Sequence, residues 1–260
     1  MKTGKVIANY FLKTTVDVSV LMSMNPRNFS REDFHNLRIG IKKMRALFGL
    51  LHDVAGNSKT NKIPSSISRL YDQAGRVRLL QIELSLLNKF DQDRRLKSFE
   101  THLQEQMTKA EEDFSKFHYK NDTVSAWSEN MEMVFMKIRK REVIRYIGKN
   151  IREIRKLTQP SKLKTAKLHD LRMRLKELYF ILDSANLKED ELGFHHGRSL
   201  HKMIGDWHDW RLMRKHLEKA AEKKFISPDE KKHILLVSGK LKKKARQLTK
   251  IIDRKRHKLF

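Results

Sequence analysis

The feature that most constrains the fold is the helical spacing of apolar residues over segments of more than twenty residues. A proline precedes several of these segments, at Pro26, Pro64, Pro160 and Pro228. Proline suits the first turn of a helix, where backbone N–H groups lack intrahelical partners. The pattern predicts eight helices, near residues 3–23, 31–55, 65–89, 92–118, 123–157, 162–185, 189–222 and 229–257. Helices this long favour bundle-like antiparallel packing, so we expect an all-α fold.

One helix sequence recurs half a chain later. FHNLRIGIKKMRALFGLL at 34–51 aligns with LHDLRMRLKELYFILD at 168–183. A weaker match sets AGRVRLLQIELSLL, around Gly75, beside IGDWHDWRLMRKHL, around Gly205. Duplication of a four-helix unit explains both matches. We therefore expect a single domain made of two pseudo-symmetric four-helix bundles, 1–119 and 120–260.

The duplicated helix carries a basic stripe beside an apolar one. At about 100° per residue, one arc of the first copy holds His35, Arg38, Lys42 and Arg45, and the adjoining arc is apolar. Cations in that position should lie along the groove between helices. The second copy repeats them as His169, Arg172 and Lys176. It is the weaker stripe, because Tyr179 replaces the fourth cation and Glu177 stands where the first copy has Lys43.

The charge balance indicates a polyanionic partner. Lysine and arginine number 57 against 31 acidic residues, which gives a formal net charge of +26. Such an excess costs stability through self-repulsion, and a polyanion would relieve that repulsion. A solvated basic surface is the alternative for any single helix. A further basic segment at 136–157 extends the groove or is solvated, and the charges of the C-terminal run KKKARQLTKIIDRKRHKLF are expected to be auxiliary.

These two H-x-x-R-x-x-x-K helices, with a glycine-containing helix after each, resemble the CHAD family, the conserved histidine α-helical domain. The resemblance covers nearly the whole chain. It implies two pseudo-symmetric four-helix bundles around a basic central channel, with inorganic polyphosphate as the ligand. Some members of that family associate with polyphosphate granules.

The resemblance also implies which residues contact polyphosphate. Its motif positions fall on His35, Arg38, Lys42, Lys43, Arg45, His169, Arg172 and Lys176. Cations of the third helices form a second rank of candidates, namely Arg69, Arg76, Arg78, Arg198, His201 and Lys202. The glycine-helix motif of the family includes an acid, which is kept as Asp209 but replaced by Leu79 in the first half.

An enzymatic function is not expected. Histidine-aspartate pairs occur at His52-Asp53, His169-Asp170 and His208-Asp209, and they raise the hypothesis of a metal-dependent phosphohydrolase. Adjacent helical residues diverge by about 100°, however, and no acidic cluster accompanies them. The chain has no cysteine, which excludes thiolate catalysis and cysteine-ligated metal sites. We expect no metal and no cofactor.

Two other polyanionic partners compete with polyphosphate. A helical protein of this charge would bind nucleic acid through phosphates, but we find no zinc-finger, RNP or basic-zipper pattern, so such binding would be non-specific. Acidic membrane or protein surfaces are a third possibility. Asn9, Lys13 and Asp17 interrupt the N-terminal apolar stretch, so we expect no membrane span and a cytoplasmic protein, located at polyphosphate granules if the resemblance holds.

Overall fold

The computed structural model describes residues 3–55, 63–116, 131–160 and 165–260, and in this part of the chain it is helical, with no strand. We number the long helices α1 to α8. They are α1 (Thr3–Ser23), α2 (Arg31–Ala55), α3 (Ser65–Phe90), α4 (Lys97–Ser115), α5 (Lys140–Thr158), α6 (Thr165–Ala185), α7 (Gly197–Ala220) and α8 (Pro228–Arg256). The all-α prediction is confirmed. No helix in this part of the chain is both long and apolar enough to cross a membrane.

Local side-chain caps set several helix starts. Ser30 and Asp33 bond each other's backbone N–H groups at the start of α2, at 3.2 and 2.8 Å, as a capping box does. At α8, Pro228 occupies the first turn and the Ser227 hydroxyl accepts from the backbone N–H of Glu230. These caps satisfy donors that the first helical turn leaves unbonded.

The prediction of one helix over 123–157 is wrong within the described residues. A short helical segment at 131–136 ends in a turn, and α5 begins only at Lys140. The break crosses α1 so closely that a Cβ on Gly4 would lie 2.7 Å from the carbonyl oxygen of Ile138. The Glu142 side chain then accepts from the backbone N–H of Arg139 and starts the next helix. Tertiary packing therefore interrupts the predicted helix at 137–139, where the sequence has no proline or glycine.

Two other predicted helices start later than the sequence pattern indicates. α4 begins at Lys97 rather than near 92, because the Asp91 carboxylate accepts the backbone N–H groups of Arg95 and Leu96 and holds a turn there. α7 begins at Gly197 rather than near 189. A short 3-10 turn, Asp190–Leu192, precedes it and ends at Gly193 in the left-handed region, φ 61°.

Helix contacts follow the order of the two expected halves. α1 contacts α2, α2 contacts α3 and α3 contacts α4, and the same chain of contacts links α5 to α8. Between the halves, α2 contacts α6 and α3 contacts α7. These are the pairs that the duplicated sequences match, which is consistent with pseudo-symmetry. The boundary at 119/120 lies outside the described residues and stays a prediction.

The apolar core is shared between the halves. One cluster lies within the first half and joins Phe34, Ile67 and Phe114. A second packs the ends of α1 and α2 against α5 and α6, and a third packs α3 and α4 against α7 and α8. Two of these clusters cross from one half to the other, so apolar burial holds the halves together.

Candidate polyanion-binding site

The basic stripes of α2 and α6 lie where the two helices meet. On α2 the apolar arc is buried, with Phe34, Leu37, Ile41 and Met44 at most 1% exposed. On α6 the matching positions, Leu168, Leu171, Leu175 and Leu178, are buried to the same degree. Burial of both arcs turns the adjoining cations toward the seam between the halves. We call this cationic region the seam site and describe its residues in turn.

Lys42 and Lys176 form the centre of the seam site. Both are half-buried, and their side chains interact electrostatically across the two helices. Burial is the largest cause that lowers the pKa of Lys42, to about 6, and the neighbouring charges of Lys176 and Arg38 lower it further. Burial also lowers the pKa of Lys176.

Arg38 is held against the glycine of the third helix. Its guanidinium donates to the Tyr71 carbonyl at 2.7 Å and to the Tyr71 hydroxyl at 3.0 Å. A Cβ placed on Gly75 would lie 2.3 Å from Arg38 Nη1. No other residue type leaves room for the guanidinium in this position. The glycine seen in the repeat therefore has a structural role, which is to seat the motif arginine.

Arg172 repeats this arrangement in the second half with weaker constraint. A Cβ on Gly205 would lie 3.6 Å from Arg172 Nε, an ordinary contact distance. The Nε atom is buried and has no hydrogen-bond partner among the described residues. A buried donor without a partner costs stability, of the order of 1–3 kcal/mol. An anion that accepts a hydrogen bond from Arg172 Nε would remove this cost.

His201 belongs to the centre of the site rather than to its second rank. It is half-buried, and burial, followed by the charges of Lys176 and Arg172, lowers its pKa to about 4. Its Nε2 atom is buried without a partner in the described part of the chain. The spacing that matches Gly75 with Gly205 also matches Tyr71 with His201. This match is the sequence signal that could have placed His201 among the main candidates for polyphosphate binding.

The two motif histidines occupy different surroundings. Burial lowers the pKa of His35, and the nearby charge of Arg78 lowers it further. His169 is exposed, and its ring centre lies 5.9 Å from that of His208. Arg78 and His208 occupy equivalent positions of the repeat. A cation beside one histidine is thus replaced by a second imidazole beside the other, so the halves are not chemically identical.

The outer motif positions differ in the same way. Arg45 lies 4.1 Å from the centre of the Tyr71 ring, and Lys43 lies 5.5 Å from that of Tyr10. In the second half the equivalents are Tyr179, which donates to Glu189 at 2.6 Å, and Glu177, which accepts from the Tyr146 hydroxyl. The expected weakness of the second stripe therefore corresponds to specific polar contacts.

Among the third-helix candidates, Arg78 lies near the seam, whereas the charge of Arg198 is compensated by an ion pair with Asp183. Arg78 interacts electrostatically with His35 and Arg38, and it faces Asp209 across the α3–α7 contact. Arg198 donates to Asp183 at 2.7 Å and lies over the Tyr179 ring. The remaining candidates are exposed on α3 and α7, namely Arg69, Arg76 and Lys202.

The histidine-aspartate pairs do not assemble into a metal site in the described residues. Asp53 pairs with Lys149 at 2.5 Å and with Arg145 at 3.7 Å. His208 contacts its own neighbour Asp209 at 3.2 Å. Within the described residues, no three His, Cys, Asp or Glu side chains converge so as to hold a metal ion.

Comparisons with known proteins bear on the family and the fold. The family model described as CHAD domain matches residues 26–218. The solved structure described as the CHAD domain from the plant Ricinus communis superposes with a TM-score of 0.74. It covers 99% of this chain and 91% of the plant chain at 14% sequence identity, a level that supports the shared fold alone. No curated protein sequence matches the chain.

Proposed function

Because this chain belongs to the CHAD domain family, we propose that it binds inorganic polyphosphate, without chemical turnover, at the seam between its two halves. The ligand is the one that the family resemblance implies. The residues proposed to contact it are Lys42, Lys176, Arg38, Arg172 and His201, with Arg45, Lys43, His35, His169 and Arg78 around them. Polyphosphate granules are the corresponding location.

The observation that carries the proposal is a cluster of cations to which both halves contribute. Lys42, Lys176, Arg38 and Arg172 approach one another, and within the described residues none of them forms an ion pair with a carboxylate. Bringing like charges together under partial burial is unfavourable in the free protein. Phosphate oxygens would pair with these cations through charge-assisted hydrogen bonds and relieve the repulsion.

The burial of these cations favours a slender polyanion over a duplex. Lys42 and Lys176 lie in the seam between helices rather than on a convex surface. A single phosphate chain is narrow and flexible enough to enter such a seam. The phosphates of duplex nucleic acid lie on a stiff, wide helix and would meet mainly the exposed cations, which give salt-dependent but non-specific attraction.

Paired charge reversals test this assignment. Arg38→Glu with Lys42→Glu should weaken binding of long-chain polyphosphate at least tenfold, and Arg172→Glu with Lys176→Glu should act similarly. Lys243→Glu with Lys250→Glu is the matched control, because it changes the net charge equally at exposed positions of α8. The control should reduce affinity only slightly at near-physiological salt, where exposed charges are screened.

Equal losses from all three double variants would contradict the seam site and indicate diffuse attraction. Because a buried glutamate can also unfold the protein, Lys42→Met provides a second variant of similar size with no charge. It should keep the helical circular dichroism of the wild type and still lose affinity. Retention of full affinity by a folded Lys42→Met variant would count equally against the proposal.

A further inference from the structure

A pocket beside Lys42 and Lys176 has an apolar lining that an inorganic phosphate chain would not contact. It is an open pocket of about 190 Å³ at the junction of α2, α3 and α6. It is lined by Ala46, Tyr71, Met173 and Phe180, together with Lys42 and Lys176. Met173 is 50% exposed although it is a large apolar residue. A polyphosphate chain presents only oxygens and would leave this apolar surface bare.

The rim of this pocket also carries a hydrogen-bond acceptor. Glu177 lines the pocket on α6. One of its carboxylate oxygens accepts from Tyr146, and the other lies 3.7 Å from Arg174. A carboxylate repels phosphate but accepts from the exocyclic amine of a nucleobase. The first half has Lys43 at the equivalent position, so this acceptor belongs to one side of the seam only.

The pocket further offers a planar cation. The exposed guanidinium of Arg45 lies over the Tyr71 ring at its mouth. Guanidinium planes and aromatic rings are the surfaces on which unpaired bases stack. Apolar walls, a planar cation, an amine acceptor and two adjacent lysines together match a base joined to a short phosphate chain.

We propose that this pocket binds the base of a nucleoside triphosphate such as ATP, with an amine-bearing base preferred to uracil, while its phosphates occupy the lysine pair of the seam site. The inference rests on the proposed function, because it uses the same lysines to hold the phosphates. The adenine amine donates to Glu177, and the base lies against Met173 and Phe180. Uracil lacks an exocyclic amine and has a smaller ring, so UTP binds more weakly.

The test compares ATP with inorganic tripolyphosphate, each titrated without divalent metal at near-physiological salt. Tripolyphosphate carries the greater negative charge, so attraction through charge alone ranks it equal to ATP or above it. The proposal predicts that ATP binds about tenfold more tightly than tripolyphosphate, as expected from stacking of one base. UTP should lie between the two.

Met173→Lys separates the base pocket from the phosphate site. The new lysine fills the apolar wall and adds a cation, so it should abolish the preference for ATP while polyphosphate binding stays equal or strengthens. Leu235→Lys is the control, because it adds the same charge at an apolar residue of α8 that is 60% exposed. It should leave the ratio of the ATP and tripolyphosphate affinities unchanged.

Three outcomes would overturn the inference and leave polyphosphate binding standing. The first is equal or tighter binding of tripolyphosphate, and the second is an ATP preference that survives Met173→Lys. If an adenine oligonucleotide binds more tightly per phosphate than ATP, the pocket serves a nucleic acid strand and the proposal is wrong. If neither polyphosphate nor ATP binds, the proposed function fails together with it.

Discussion

Polyphosphate binding should be accompanied by proton uptake at Lys42. In the free protein the pKa of Lys42 is lowered to about 6, because burial and neighbouring cations disfavour its charged form. At pH 7 the side chain is therefore mostly neutral, with ~0.9 of a proton missing. Phosphate oxygens placed beside it reverse both causes, and the pKa returns toward its ordinary value. We expect an uptake of about one proton per seam site at pH 7.

The sign of the pH dependence follows from this shift. The bound state holds more protons than the free state above pH 6, so affinity falls as pH rises, by up to about tenfold per pH unit. Near pH 5 Lys42 is already ~90% protonated in the free protein, and its contribution to the uptake should shrink to ~0.1 proton. His201, whose pKa is lowered to about 4, adds to the uptake if phosphate also reaches its ring.

Isothermal titration calorimetry in two phosphate-free buffers with different ionisation enthalpies measures this uptake. Lys42→Arg should remove it, because arginine stays charged, and should flatten the pH dependence of affinity. Lys243→Arg on α8 is the control and should behave as the wild type. Comparing proteins with one ligand preparation cancels protons that the polyphosphate itself exchanges. Absence of uptake at pH 7, or uptake that persists in Lys42→Arg, would refute the reasoning.

Other predictions follow from single contacts. Gly75→Ala displaces the Arg38 guanidinium and should weaken polyphosphate binding about tenfold, as measured by binding curves. Gly205→Ala has room for its Cβ and should raise the free energy of unfolding by up to ~1 kcal/mol, as measured by denaturant titration. Lys42→Met should raise the free energy of unfolding by ~2 kcal/mol at pH 7, because it removes a half-buried group that is charged in the unfolded chain. This gain in stability should diminish toward pH 10. Urea titrations that show no gain at pH 7 would contradict the prediction. Asp91→Ala should lower the free energy of unfolding by ~2 kcal/mol, because Asp91 caps the start of α4 and pairs with His233. It should leave the affinity for polyphosphate unchanged. A loss of affinity as well would show that this helix end reaches the site.

Much of the architecture could be predicted because helical periodicity is a local property of the sequence. The bounds of α1 and α2 agree with the pattern, since both helices carry continuous apolar stripes and α2 has a capping box. The break at 137–139 could not be predicted in this way. It arises from close packing on Gly4, a contact between residues more than a hundred positions apart.

The candidate site was predictable in its residue types but not in its internal geometry. The repeat placed Lys42 and Lys176 on equivalent helix faces, and spacing alone placed cations beside a buried stripe. Spacing could not show that these lysines interact across the seam, or that Tyr71 holds the Arg38 guanidinium. Nor could it show that Arg198 would be drawn to Asp183. Those contacts depend on how α2, α3, α6 and α7 meet in space.

The most direct test of the seam site is a competition titration at near-physiological salt. Labelled long-chain polyphosphate bound to the wild-type protein is displaced by unlabelled polyphosphate, duplex DNA or single-stranded RNA at equal phosphate concentration, and the series is repeated with Arg38→Glu/Lys42→Glu. We predict that polyphosphate displaces the label at far lower concentration than either nucleic acid and that the double reversal abolishes this preference. Equal displacement by all three polyanions, unchanged by the reversal, would contradict polyphosphate binding at the seam.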